Sequence, residues 1–248
     1  MTYQWLLSLL LYMDFGGNQL YSFRTENCFS TKSDSRLVRF NRVYHVNTFS
    51  DSEVVNIKDQ FGAIPFSWII ETHDHNAASM LERHGFTKYP DMFYGMKANI
   101  ENIVDDTYAP HIIIKEINEQ HDIEKLIDII LLSNSIYEKD ELIKAIDDLR
   151  LKAAQSIKLY LGFYEQEPCA TSIVIYHENA VTFHMVSTLP EYRCKGLGYA
   201  ITHKGLLDAS YDGITKAYLM SSIMAQSLYR KIGFEEYAQY YIYIYKPY

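Results

Sequence analysis

Two stretches of this chain repeat one pattern, and the repetition limits the folds open to it. The first, from Ala77 to Phe86, carries apolar residues at helical spacing, stops at Gly85, and is followed by a β-rich run from Met92 to Ala98. The second, from Ala225 to Phe234, stops in the same way at Gly233 and leads into a run from Tyr240 to Tyr245 in which Tyr and Ile alternate. Glycine suits the left-handed position that closes a helix, because it lacks the Cβ that penalises positive φ. Alternation with a period of two marks a strand with two different faces. The same helix, Gly-Phe stop and strand, found twice, predicts two related halves. The alternating tyrosines then read as sheet residues rather than as a stacking platform for bases.

The join is expected at the polar stretch from Asp105 to Pro110, dividing the chain into residues 1–105 and 106–248. Beyond it, His111 to Ile117 reads as a strand. Helices are predicted over Asp122 to Leu132, with Ile123, Leu126, Ile127 and Ile130 at helical spacing, and over Lys139 to Ala154. Three strands follow, Lys158 to Tyr164, Ala170 to Tyr176 and Val181 to Thr188, separated by polar turns. A helix from Gly196 to Ser210, a strand from Ala217 to Met220, and the helix that stops at Gly233 complete the half before its last strand. The order β-α-α-β-β-β-α-β-α-β describes an α+β sheet domain with a strand-to-helix crossover.

Hydrophobic residues make up 48% and charged residues 22% of the chain, enough apolar surface for a packed core and no sign of disorder. A net charge of -8 argues against a general nucleic-acid binder, which needs a surplus of Lys and Arg. Cys28, Cys169 and Cys194 are far apart and odd in number, with neither metal-ligand nor disulfide spacing, so no metal and a reducing, cytoplasmic setting are expected. The apolar stretch from Trp5 to Met13 lacks a preceding basic residue and is far shorter than the ~20 apolar residues that span a bilayer. It reads as a buried helix, and no membrane association is expected.

Between the strand ending at Thr188 and the next helix lies a turn containing Arg193, Gly196 and Gly198. A strand that feeds a helix through glycines leaves free backbone N–H groups above the helix, where the dipole favours an anion. A diphosphate suits it, and a tight strand–helix connection without a ligand is the alternative. A phosphate-binding loop of the Walker type would need Gly-Lys before Ser or Thr, whereas Tyr199 and Ala200 follow Gly198; a dinucleotide turn would want a small residue where Ile201 stands.

The segment from Val186 to Ile201 resembles motif A of the GNAT superfamily of N-acetyltransferases, with Arg193, Gly196 and Gly198 in its Gln/Arg-x-x-Gly-x-Gly/Ala places. The segment from Tyr218 to Phe234 is similar to motif B, including its Leu-Tyr-x-x-x-Gly-Phe ending. The resemblance covers roughly residues 111 to 245. The first half resembles the degenerate copy of tandem GNAT proteins: Leu81 stands where Tyr229 stands in the second, and no Arg-x-x-Gly-x-Gly precedes it. It implies two GNAT-like domains, each a mixed, largely antiparallel sheet flanked by helices, the first unable to hold acyl-CoA in the usual way.

What the resemblance implies for chemistry is an N-acetyltransferase using acetyl-CoA as cosubstrate, without a metal, and a small-molecule or peptide amine as acceptor. The pantetheine arm would lie along Val186, Ser187 and Thr188, and the diphosphate on Arg193, Cys194, Lys195, Gly196, Leu197, Gly198 and Tyr199, with Ser222 a further contact. Tyr229, at the family's acid position, would protonate the departing sulfur. His184, on the central strand, is the foremost candidate base, and Glu138 and Glu178 are others. Cys194 is expected to restrict the turn rather than to react. A non-catalytic acyl-CoA sensor, or a partner-binding protein with a relict site, is the alternative, and the chain is expected to be a monomer or homodimer.

Overall fold

A computed structural model describes residues 21–247 apart from 25–26, 33–35, 46–47, 102, 135 and 153–155. The apolar stretch from Trp5 to Met13 lies outside the described residues. The first half contains β1 (Tyr21–Arg24), β2 (Cys28–Lys32), β3 (Arg42–His45), α1 (Asp51–Phe61), β4 (Phe66–Glu71), α2 (His75–Arg83), β5 (Thr87–Lys88) and β6 (Phe93–Asn99). The second contains β7 (Ile112–Ile117), α3 (Gln120–Asn134), α4 (Lys139–Lys152), β8 (Ile157–Tyr164), β9 (Glu167–His177) and β10 (Ala180–Thr188). It ends with α5 (Leu197–Tyr211), β11 (Lys216–Ser222), α6 (Gln226–Ile232) and β12 (Glu235–Tyr245). The element order of the second half is the one read from its periodicities, with ends shifted by a few residues.

Each apolar pattern has found its partner. Along β8 and β9, Leu159, Leu161, Ile173 and Ile175 face α3 and α4, burying Ile123, Leu126, Ile130 and Leu142. The alternate residues Tyr160 and Val174 face the other way, with Phe183, onto Leu197, Ala200, Ile201 and Leu206 of α5. This strand alternation makes a helix–sheet–helix sandwich, each fully buried Leu or Ile contributing about 1.5–3 kcal/mol. Both repeated helices close alike. The N–H of Phe86 bonds the Leu81 carbonyl and that of Phe234 bonds the Tyr229 carbonyl, each at 3.0 Å, around Gly85 and Gly233 at φ 83° and 115°.

The strands form one continuous mixed sheet in the order β1-β2-β3-β4-β12-β6-β11-β10-β9-β8-β7, with β5 alongside β12. The middle of that order mixes the two halves. β6 of the first half lies antiparallel between β11 and β12, and β12 of the second lies antiparallel between β4 and β6. Tyr240 and Tyr243 of β12 are buried there, the latter opposite Trp68. The connecting stretch is strapped onto α5: His203 donates from Nε2 to the Val104 carbonyl, leaving Nδ1 to accept from the Tyr108 hydroxyl at 2.9 Å. Among the described residues no helix is long and apolar enough to cross a membrane.

Candidate active site

Where β10 meets β11 the sheet opens. The two strands pair in parallel from Ala180 with Lys216 to Phe183 with Leu219, and no further pair forms although β10 runs to Thr188 and β11 to Ser222. On its other side β10 keeps its bonds to β9 but gains a residue between His184 and Ser187, with Met185 at φ 47°. Such a bulge bends a strand away from its neighbour and leaves backbone polar groups unpaired by the ladder. The bend is braced, since Thr171 Oγ1 donates to the Met185 carbonyl at 2.8 Å. Asn134 at the end of α3 donates to both the Ile130 carbonyl and Ser187 Oγ at 2.9 Å.

A cavity of about 1030 Å³ lies at the opening and is lined by His184, Val186, Ser187, Ser222 and Tyr229, among others. Tyr229, only 5% exposed, packs edge-on to Phe234, and its hydroxyl has no hydrogen-bond partner among the described residues. Burial holds this phenol above its ordinary pKa, so it stays protonated. His184 Nε2 lies 2.9 Å from Thr182 Oγ1, and burial together with the positive charge of Arg42 pushes its pKa down to about 3. The imidazole is therefore neutral at physiological pH. Glu138 also lines the cavity, whereas Glu178 sits at the β9–β10 turn, at the far end of β10, and takes no part in it.

The turn after β10 is shaped by its own side chains. Arg193 donates from Nε to the Thr188 carbonyl at 3.2 Å and from Nη2 to the Ser133 carbonyl at 3.5 Å, so its guanidinium ties the strand end to α3. Lys195 Nζ rests over the rings of Tyr164 and Tyr192 at 4.5 and 4.9 Å. Arg193 to Gly196 are exposed, and Cys194 is held at φ 61°, which costs a residue with a Cβ about 1–2 kcal/mol.

Gly196, at φ 91°, begins α5 with no side-chain cap, and the first intrahelical bond runs from the Ala200 N–H to its carbonyl. The N–H groups of Leu197, Gly198 and Tyr199 precede that bond and point out of the helix end, a donor set that fits a diphosphate. A Cβ on Gly196 would lie 3.5 Å from Ile112 Cδ1, an ordinary contact, so it is the φ of 91° rather than crowding that calls for glycine there. A Cβ on Gly198 would come within 3.1 Å of Leu228 Cδ2, so the side chain from α6 would have to give way by a few tenths of an ångström. The side chain of Leu197 is core, and Tyr199 donates its hydroxyl to Asp106 at 2.9 Å, so both offer the cradle only backbone. The expected site residues thus divide between the cavity wall and the turn beside it.

Among the cavity-lining residues that escape sequence reasoning are Arg36, Arg39 and Arg42, which approach from the first half. Their signal is a three-residue spacing of arginines in an acidic chain, which has no meaning until that segment is placed against β10. Among the described residues no cluster of His, Cys, Asp and Glu has the arrangement of a metal site.

Residues 144–236 match the family model described as an acetyltransferase (GNAT) domain. Among solved structures, a GCN5-related N-acetyltransferase from Kribbella flavida is similar over 97% of this chain and 93% of its own, with 16% identity and a TM-score of 0.72. A GCN5-related N-acetyltransferase from Sphaerobacter thermophilus matches over 89% of this chain and 78% of its own, at 13% identity and a TM-score of 0.65. A tandem GNAT protein from the clavulanic acid biosynthesis pathway matches over 96% and 87%, at 8% identity and a TM-score of 0.64. A search of curated proteins gives no match. Residues 144–236 thus match the GNAT acetyltransferase domain model, and nearly the whole chain shares its mixed sheet-and-helix fold with solved structures of GNAT proteins.

Proposed function

We propose that the second half transfers an acetyl group from acetyl-CoA to an amine. The observation that carries this reading is the opening between β10 and β11, whose cavity holds the protonated Tyr229, in a half whose helix α5 starts uncapped. A diphosphate on the N–H groups of Leu197 to Tyr199 places the pantetheine arm beside Val186 and Ser187, as an added strand would lie. The thioester then sits in the cavity. The amine nitrogen attacks the thioester carbon, a C–N bond forms as the C–S bond breaks, and the sulfur takes the proton of Tyr229. A backbone N–H freed at the bulge near Val186 stabilises the charge that develops on the carbonyl oxygen.

The amine must shed a proton, and His184 is a poor place to store it, because a conjugate acid with a pKa near 3 holds no proton at neutral pH. His184 orients the acceptor or a water, and the proton passes to solvent or to Glu138. The first half, residues 1–105, is a degenerate copy that walls the acceptor side of residues 106–248. The parallel pairs β3–β4 and β10–β11, the matching helix ends and the exchanged strands β6 and β12 support that relation, as does the likeness to a tandem GNAT protein. The protein would work in the cytoplasm, as a monomer or homodimer.

Thermal unfolding with acetyl-CoA tests the proposal. At 100 times the dissociation constant the fold gains about 2.7 kcal/mol, and acetyl-CoA is consumed when the right amine is supplied. The absence of both a thermal shift and turnover at millimolar acetyl-CoA would rule the reading out.

A further inference from the structure

The chain carries a net charge of -8, yet the wall of this cavity is cationic. Among the described residues, Arg36, Arg39, Arg42 and Lys246 line it against two carboxylates, Asp91 and Glu138, while His184 stays neutral, a surplus of two positive charges. Three of those cations come from one short segment, the 3-10 turn Val38–Phe40 and its flanks, whose Leu37 packs into the α3–α4 core of the other half. Arg39 reaches β10 itself, donating from Nη1 to Met185 Sδ at 3.8 Å.

Arg36, Arg42 and Lys246 form no ion pair among the described residues. Arg42 shares a hydrogen bond with Tyr44, a phenol that burial keeps neutral, so its charge is not cancelled there. Its Nε is buried with no hydrogen-bond partner among the described residues. An unpaired buried donor on a charged group is costly, which makes it a natural place for an incoming acceptor atom. The diphosphate cradle does not explain these charges. None of the turn residues Arg193 to Tyr199 lines the cavity, so the arginines face the acceptor side of the gap.

We infer that the acceptor amine also bears an anionic group, a carboxylate or a phosphate, held by Arg36 and Arg42 with the amine turned toward the opening between β10 and β11. A planar guanidinium pairs with either oxyanion through two parallel bonds. This inference rests on the proposed acetyl transfer for the role of the amine, and on the arginines alone for the anion.

The test uses matched probes on the full chain: α-amino acids against their carboxamides, and phosphoethanolamine against ethanolamine. Each pair is followed by acetyl-CoA consumption and, without acetyl-CoA, by calorimetric binding. We expect one of the anionic sets to be favoured at least tenfold in kcat/KM and in affinity, which also tells carboxylate from phosphate. R36Q and R42Q should each erase most of that preference through KM, leaving the acetyl-CoA thermal shift within twofold of wild type in affinity. Because Arg36 is exposed, R36Q decides the matter if R42Q fails to fold. Preference for the neutral amines, or equal use of both members of every pair, overturns the inference while acetyl transfer stands. Anion binding that R36Q abolishes, without any acetyl-CoA shift or turnover, upholds the anion site and removes the transfer reading. No anionic preference in either assay overturns the inference outright.

Discussion

Helices α1 and α5 occupy equivalent places, each crossing between two parallel neighbouring strands, β3 and β4 in one half and β10 and β11 in the other. They begin in opposite ways. At the start of α1, Ser50 accepts from the Glu53 N–H, and the Ser50 N–H donates to Glu53 Oε2 at 2.9 Å, a closed capping box that puts a carboxylate where an anion would bind. At the start of α5 a glycine stands in the Ser50 place and Tyr199 in the Glu53 place, and the helix end is left open. The same contrast recurs at the far end of the site, where Leu81 is fully buried and Tyr229 lines a cavity. One half has spent its polar groups on its own stability and the other has kept them for a ligand.

Four changes break or sharpen this contrast. The largest effect is expected from Tyr229→Phe, which gives the second half a side chain as inert as Leu81. Turnover should fall about a hundredfold while acetyl-CoA affinity stays within twofold, by steady-state rates and thermal shift. An unchanged rate would show that the two positions do not differ chemically.

A second test asks how closely His184 is packed, since burial, and then the charge of Arg42 from the first half, keeps it unprotonated. The folded pKa, about 3, lies below the ordinary value of 6.5, so this contribution is complete above 6.5 and is lost as pH falls toward 3. Urea denaturation should show a loss of up to about 1.4 kcal/mol per pH unit below 6.5 that His184→Gln removes. Equal pH slopes in the two proteins would mean that His184 titrates normally.

Third, the double change Gly196→Ser with Tyr199→Glu writes the capping box of α1 into α5. It should weaken acetyl-CoA at least tenfold, about 1.4 kcal/mol, by titration calorimetry. Retained affinity would show that the open helix end is not the anion cradle. The smallest effect is the reverse: Ser50→Ala unlocks α1 and should cost about 1 kcal/mol of stability in thermal unfolding, without altering acetyl-CoA affinity.

Much of the second half was legible because its elements follow from local physics. Periods of 3.6 and 2 mark α3, β8 and β9, and a glycine after an apolar helical run marks the ends of α2 and α6. The glycine turn could be read for the same reason, since a helix start bare of capping side chains is a property of a few consecutive residues. Local reading has a limit even there: it takes Gly198 as part of the diphosphate turn and does not see that Leu228, thirty residues on, crowds the same position.

The sequence by itself determined the elements of the second half, their order, the two matching helix ends and the open start of α5, because each depends on neighbours in the chain. Tertiary structure alone decided that β6 enters between β11 and β12, that the bulge at Met185 parts β10 from β11, and that Arg36, Arg39 and Arg42 line the same cavity as His184 and Tyr229. A strand's hydrogen-bonding edge accepts many partners, and a charge has no role until something stands opposite it. Those choices are made by packing across the whole sheet, and no stretch of the chain carries them alone.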